Sequence, residues 1–482
     1  MKRMVALILL LSVLSVMSFC VIGNVIGEEK ANVTIKENII YGDKSYADGV
    51  TVFTRVHYDE HLFWDTSYTI GDEPKTATDY MFSYFPRYEE EYIEHQGLYL
   101  DVDFKYGYST SIPLEECVGL QKAYRELYDA TPEGEERSKT IRLQDYYDYY
   151  PIRIDFDLPG VLWQGREYKN LAFDEFINER KVWDKFNAFF RIPIPEDLPA
   201  FEITITKKGN SVGVGSTGHD TDYWFDPQTA FTSDRVFFSI SNRIYNGYKG
   251  EKEQYVDMSL IPGGYGIYAF SYKNVRNSEN TQENSTIFHP GYETGVEEET
   301  LEMVFPLEQY AEVIYMTLSN DESKLLVFTK EYDVTYLTVI ETASMRELQK
   351  IKVTEEEQYT FYEYENCVVL NGWDYISVIE KQADGLCRLA FTVSRMKEVN
   401  DSNLQKGVAT TMVFDGEKLV IVDRTGDAAY PGLETCGFTV AVYNETGLVY
   451  YAGYESSLST VTNPYDYAFN CLPIQYAVYA PE

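Results

Sequence analysis

Two histidines four residues apart offer the first chemistry. His57-Tyr58-Asp59-Glu60-His61 has the H-x-x-E-H spacing with which a helix can present two imidazoles to one Zn²⁺. On a helix, positions i and i+4 share a face about 6 Å apart along the axis. On a strand they also share a face but stand about 13 Å apart, too far for one ion. The flanks, VTVFTRV and LFWDTSYTI, are β-branched and alternating, and no helix cap precedes them. A strand or hairpin is therefore expected, and no metal is assigned.

Gly213-Val214-Gly215-Ser216-Thr217-Gly218 spells G-x-G-x-x-G after the strand-like FEITITKK. A dinucleotide site needs a helix to start at those glycines and aim its N-terminus at phosphate. Here GHDTDYWFDP follows, with Pro227 and no helical period, so a glycine-rich loop is expected instead. The next residues are the candidate ligand contacts: Asp220, Asp222, Tyr223, Trp224 and Asp226. The three carboxylates have some of the character of a Ca²⁺ loop but lack its closing glutamate and D-x-D-x-D-G order. Ca²⁺ is the only cofactor considered for them. Carboxylates beside aromatics also suit a sugar, with rings on its apolar face and oxygens on its hydroxyls. The competing expectation is that Tyr223 and Phe225, or Trp224, enter the core.

No catalytic residue is assigned. G-x-S-x-G is absent, and none of the five histidines has a nucleophile context. A carboxylate pair for glycoside hydrolysis stays open, because 77 acidic residues make every spacing available.

The elements that must position these residues read as mainly β. Tyr (43) and Phe (26) are abundant and favour strands with half-buried faces. A net charge of −36 disfavours nucleic acid and anionic membrane surfaces as partners. The start of the chain speaks of export. Lys2 and Arg3 precede an uncharged apolar run, and Val25-Ile26-Gly27 offers a small-residue cleavage point before Glu28. Residues 1–27 are expected to be a signal peptide. Two alternatives are retention of the run as a membrane anchor and lipidation at Cys20, where Phe19 stands in place of the small residue required. The remaining cysteines, Cys117, Cys367, Cys387, Cys436 and Cys471, are odd in number and irregular in spacing. They are read as small buried hydrophobes, with at most one incidental disulfide.

The C-terminal half repeats. TVIE at 338–341 returns as SVIE at 377–380, 39 residues later, and FTVAVYNETGLVYYAGY (438–454) is a looser third copy. Each copy follows a hairpin, at 316–329, 360–372 and 411–423, turning at Asp321-Glu322, Glu365-Asn366 and Asp415-Gly416. Four strands in forty to fifty residues is the period of a propeller blade. Residues 312–455 resemble the YVTN-type β-propeller repeat, a relative of the WD repeats. The match lies on Ser319, Asp321, Leu325 and Val327, then Val339, Ile340, Thr342 and Ala343. Asn320 and Glu322 stand where that repeat prefers Pro and Gly, and Glu341 where it prefers Asp. The resemblance implies a fold and no catalytic residue.

The fold class expected is thus a β-propeller of some seven blades with an α-containing insertion. Residues 28–110 would join the propeller, 111–200 would form the insertion or cap, and 201–482 would supply blades. Helices are expected over 112–130, with Ser111 as N-cap, and over 170–190. The tail, 467–482, is expected to pair with strands from the N-terminal part. The function expected is an exported, non-enzymatic propeller that binds a protein or glycan at the cell envelope or outside the cell. The alternative readings are a secreted glycan-active hydrolase or lyase and a membrane-anchored sensor ectodomain.

Overall fold

The structure is a computed structural model. It describes residues 2–58, 62–82, 97–102, 113–157, 176–196, 200–209, 211–217, 223–244, 254–273, 295–355, 359–372, 374–395, 411–425, 437–457 and 476–479. The chain divides into two units: residues 1–91 with 353–482, and residues 92–352.

Among the described residues, the first unit contains three antiparallel sheets. One runs in chain order through Tyr359–Glu363, Cys367–Gly372, Tyr375–Lys381 and Cys387–Ser394. The second, five-stranded, uses Thr411–Phe414, Leu419–Thr425, Gly437–Asn444 and Gly447–Ser456, with Ile35–Gly42 added on its outer edge. The third, called here the closing sheet, is ordered Tyr476–Tyr479, Thr51–Tyr58, Leu62–Thr69, Lys75–Phe82. The chain's beginning and end therefore pair twice, and the tail meets the N-terminal part as expected over Tyr476–Tyr479; residues 467–475 and 480–482 lie outside the described residues.

Period-two side-chain alternation explains how these sheets stack. Leu419 and Ile421 face Cys367, Val369 and Val378 of the preceding sheet. Val420 and Val422, on the opposite face, join Val50, Val52 and Tyr68. Both faces of the five-stranded sheet are covered, so its inner strand, Gly437–Asn444, is buried from Gly437 to Tyr443. That is why FTVAVY reads as a continuous apolar run rather than an alternating one. Each such aliphatic side chain contributes about 1.5–3 kcal/mol on burial. A tight turn links Phe414 to Leu419. Gly416 takes φ 100° there, and Asp415 Oδ1 accepts the Glu417 and Lys418 N–H groups.

The second unit holds two four-stranded sheets of the same order. One comprises Gln228–Phe231, Arg235–Ser239, Gly266–Tyr272 and Val296–Pro306. The other comprises Ala311–Leu318, Lys324–Glu331, Val334–Glu341 and Arg346–Thr354, the last running across the unit boundary. They share a core of Phe237, Ile267 and Ala269 against Val313, Leu325, Val327 and Ile340. Sequential four-stranded meanders stacked face to face are the construction unit of a propeller. The fold class is accordingly mainly β and propeller-type, with α-containing segments. The repeat is visible directly: Thr338 and Ser377 occupy third strands, and both are buried. At Glu322, where the YVTN-type repeat prefers Gly, φ is 57°. That left-handed backbone is what the glycine would serve.

The remainder of the second unit includes two helices, here α2 (Leu120–Ala130) and α3 (Phe176–Phe189). Around them lie a sheet of Glu136–Ile141, Phe201–Lys208 and Ser211–Thr217 and a strand pair, Gly97–Val102 with Ile152–Asp157. The N-terminal boundary of α2 differs from the expectation. Pro113 instead opens a short 3₁₀ turn, Leu114–Glu116, and Gly119 breaks the path at φ 54°. The Tyr147 hydroxyl accepts the Leu120 N–H at 2.8 Å and caps the helix. A Cβ on Gly119 would stand 1.9 Å from that oxygen. Ser111 and residues 170–175 lie outside the described residues. Phe186 of α3 stacks on Phe238 (6.2 Å) and meets Phe270 edge-on (5.6 Å).

Candidate functional site

His57 lies in the strand Thr51–Tyr58, opposite Phe63. The local geometry at His57 is extended; His61 lies outside the described residues. Gly213 and Gly215 correct the loop expectation: both sit inside the edge strand Ser211–Thr217, opposite Thr206 and Thr204. Added Cβ atoms would meet only ordinary contacts, 3.6 Å and 4.0 Å away. These glycines need no left-handed backbone, and the ladder to Phe201–Lys208 absorbs them. Gly218, Asp220 and Asp222 lie outside the described residues.

Residues 223–226 show a clear division of labour. Tyr223 and Phe225 are each 1% exposed, whereas Trp224 between them is 65% exposed. Two hydrogen bonds to Ser241 set this alternation. The Tyr223 hydroxyl donates to the Ser241 carbonyl at 3.1 Å, and the Ser241 N–H donates to the Phe225 carbonyl at 2.6 Å. The Tyr223 ring packs on Tyr150 (5.2 Å) and Phe225 (4.9 Å). Burial raises the Tyr223 hydroxyl pKa well above its usual value, reinforced by neighbouring tyrosines. Tyr223 is therefore a core residue with no free ring face, unlike its sequence-based assignment as a stacking platform. Trp224 is pushed outward because both neighbours are pinned inward. Asp226 follows it, exposed and at φ 35°.

Two features escaped sequence reasoning. Tyr332 is 68% exposed in the two-residue turn between Glu331 and Val334, at φ 57°, with its ring stacked on Tyr310 at 5.0 Å and 17°. An aromatic residue where a hairpin favours Gly or Asn was the available signal. The other is a half-buried polar cluster in the first unit. Glu37 accepts hydrogen bonds from Lys44 Nζ (2.5 Å), Tyr450 Oη (2.7 Å) and Tyr454 Oη (3.0 Å), and the two tyrosines bond each other at 2.7 Å. No local pattern could join Glu37 to residues more than four hundred positions away.

Desolvation of Glu37 opposes its ionisation, but the hydrogen bonds from Lys44, Tyr450 and Tyr454 together hold its pKa below 4.5. Burial, followed by hydrogen-bond and charge interactions among these groups, pushes the Tyr454 hydroxyl far up. Both tyrosines are 0% exposed. The arrangement can hold strands together but presents no accessible nucleophile or base. Among the described residues, no group of three or more His, Cys, Asp or Glu side chains could hold a metal ion. Burial raises the thiol pKa values of Cys367 and Cys387 to about 12 and about 11. Both side chains are buried, as the small-hydrophobe reading expects, whereas Cys117 is half-buried, and Cys436 and Cys471 lie outside the described residues.

No protein-family model matches the chain, and no curated protein matches it. Among solved structures, it is similar to a chain of a mitotic checkpoint complex at 9% identity, covering 49% of each chain, with a TM-score of 0.22. A functionally unknown protein from Desulfotomaculum acetoxidans is 12% identical over 52% of this chain and 62% of its own, with a TM-score of 0.22. A hypothetical selenium-binding protein from Sulfolobus tokodaii is 9% identical over 86% and 94%, with a TM-score of 0.24. The match spans less than two thirds of the first two structures' own length. Likenesses of this size carry no argument about fold or function, and the sheet orders stand on their own.

Proposed function

We propose that this chain is an exported, propeller-type binding protein that engages a glycan or protein partner through the surface around Trp224. The observation that supports it is the 65% exposed indole, held out between two fully buried aromatics. A side chain of that size left in water suits a contact surface. Asp226, two residues on, is exposed, and its carboxylate could accept hydrogen bonds from sugar hydroxyls or from a partner's donors. Export is the role suggested by the Lys2-Arg3 start and the apolar run behind it.

Trp224→Ala tests the reading. An exposed position away from packing costs little stability, within about 0.5 kcal/mol. Aromatic stacking is worth about 1–3 kcal/mol, so binding should fall by about 5- to 150-fold. Glycan-array binding and co-purification with envelope proteins should each be compared between wild type and variant, beside their melting temperatures. Loss of binding at an unchanged melting temperature is the expected result. A variant that binds as well as wild type, or a wild type that binds neither class, overturns the proposal.

A further inference from the structure

The first helix, here α1 (Lys2–Ala31), is built unlike a helix of a water-soluble core. Leu11, Val13, Leu14, Val16, Met17 and Ile22 are each more than half exposed. At 100° per residue these positions point all round the axis, so no single face is reserved for packing. Only 6% of the window from Leu11 to Glu28 is buried. The uncharged run from Met4 to Ile26 spans about 34 Å as a helix, enough for a hydrocarbon core of about 30 Å. Lys2 and Arg3 precede it, and Glu28 and Glu29 follow. That polarity keeps the N-terminal end on the cytoplasmic side and sends the remainder across.

The other end of α1 belongs to the fold. Ile26 and Val33, each 8% exposed, pack on Trp64 (4%) of the closing sheet, with Tyr80 alongside. Lys30 Nζ reaches Asp79 Oδ1 at 2.9 Å. The Thr34 N–H donates to Ser457 Oγ at 2.9 Å, and the Ser457 N–H donates to the Thr34 carbonyl at 2.8 Å. The expected cleavage point, after Gly27, lies within the helix and one residue past buried Ile26. Cutting there would uncover Trp64 and leave a four-residue helical stub, too short to persist. From this site an aromatic row continues outward: Trp64 to Tyr80 at 5.8 Å, then Tyr80 to Phe82 at 5.9 Å, with Phe82 56% exposed. Aromatics of this kind favour the membrane–water boundary.

We infer that α1 is retained as a bilayer-spanning anchor continuous with the first unit, its exit docked on buried Trp64 of the closing sheet and the exposed end of the aromatic row, at Phe82, lying at the membrane surface. The occupant of the exposed apolar helix is lipid. With the chain's net charge at −36, a zwitterionic bilayer suits it better than an anionic one. The inference does not depend on the Trp224 reading, and its tests involve no ligand.

The full chain should be expressed with its own N-terminus, fractionated, and floated with phosphatidylcholine vesicles. The expected result is an intact mass that includes residues 1–27, in a membrane fraction that resists alkaline carbonate. Leu14→Lys with Met17→Lys should lower vesicle recovery at least tenfold. A soluble product beginning at Glu28 overturns retention, as does a carbonate-released oligomer that sequesters α1 between copies. The docking is read separately by limited proteolysis across residues 26–34. Ile26→Ser and, independently, Lys30→Ala should raise cleavage there severalfold while membrane retention stays unchanged. Cleavage at the wild-type rate in both variants overturns the docked exit.

Discussion

The beginning of the chain meets its end at two places in the first unit, and the two are built differently. Ile35–Gly42 pairs with Gly447–Ser456 from Ile35↔Ser456 to Gly42↔Tyr450, with one irregularity between Ile39 and Tyr41. Thr51–Thr54 pairs with Tyr476–Tyr479 over four residue pairs. The first seam is long and carries Glu37 with its lysine and two tyrosines across it. The second is short and terminates a sheet whose other strands come from residues 51–82. A backbone ladder joins any two strands of suitable length; a half-buried cluster of a carboxylate, a lysine and two tyrosines accepts one register only. A one-residue slip of Ile35–Gly42 would turn Glu37 away from Tyr450 and Tyr454. The first seam therefore fixes register, and the second covers an edge.

The largest effect expected from this contrast is at Glu37. Glu37→Ala leaves Lys44 and the two buried hydroxyls without their shared acceptor, although the tyrosines keep their bond to each other. Loss of the shared acceptor in this half-buried cluster should cost about 1–3 kcal/mol, read as a lower urea midpoint at unchanged slope. If Glu37→Ala melts like wild type, the seam is held by its ladder and apolar packing alone.

Removing residues 476–482 tests the second seam. Four antiparallel pairs, at about 0.5 kcal/mol each after exchange with water, amount to about 2 kcal/mol. The freed edge of Thr51–Tyr58 should also raise the tendency to self-associate. Calorimetry and light scattering should show a lower melting temperature and slow aggregation. A truncated chain as stable as the full one would reduce this seam to an incidental contact.

Much of this architecture was legible beforehand, because strand period and turn chemistry are local. The β-branched apolar run of Leu419–Thr425 and the Asp415-Gly416 turn specify a hairpin without help from elsewhere. The register of Val334–Glu341 and Tyr375–Lys381 follows from the shared V-I-E core. The left-handed Glu322 was visible as a mismatch to the YVTN-type repeat. The candidate site was less legible. That one of Tyr223, Trp224 and Phe225 faces outward follows from alternation, but which one depends on Ser241, eighteen residues beyond Tyr223. The G-x-G at Gly213 misled because glycine in an edge strand and glycine in a phosphate loop look alike until the partner strand is known. Glu37 was illegible for a stronger reason: its partners lie at the other end of the chain, and only chain closure brings them together.

The smallest effect expected is also the most specific to the first seam. The folded state holds the Glu37 carboxyl below its usual 4.5: Lys44, Tyr450 and Tyr454 donate to the ionised form and together outweigh desolvation. A carboxyl whose pKa is lower in the folded than in the unfolded chain stabilises the fold fully above the unfolded pKa. That contribution is lost as pH falls through the folded value. Wild type should therefore lose stability on acidification from pH 5 through the region below 4.5, over and above the general repulsion that all carboxylates share. Glu37→Gln keeps an acceptor for the hydroxyls but cannot ionise, so its stability should begin lower at pH 7 and fall less over the same interval. The difference between the two melting curves, plotted against pH, isolates Glu37 from the other 76 acidic residues. Parallel curves would mean that Glu37 titrates alike in the folded and unfolded chain. The seam would then owe its register to the strand ladder rather than to charge.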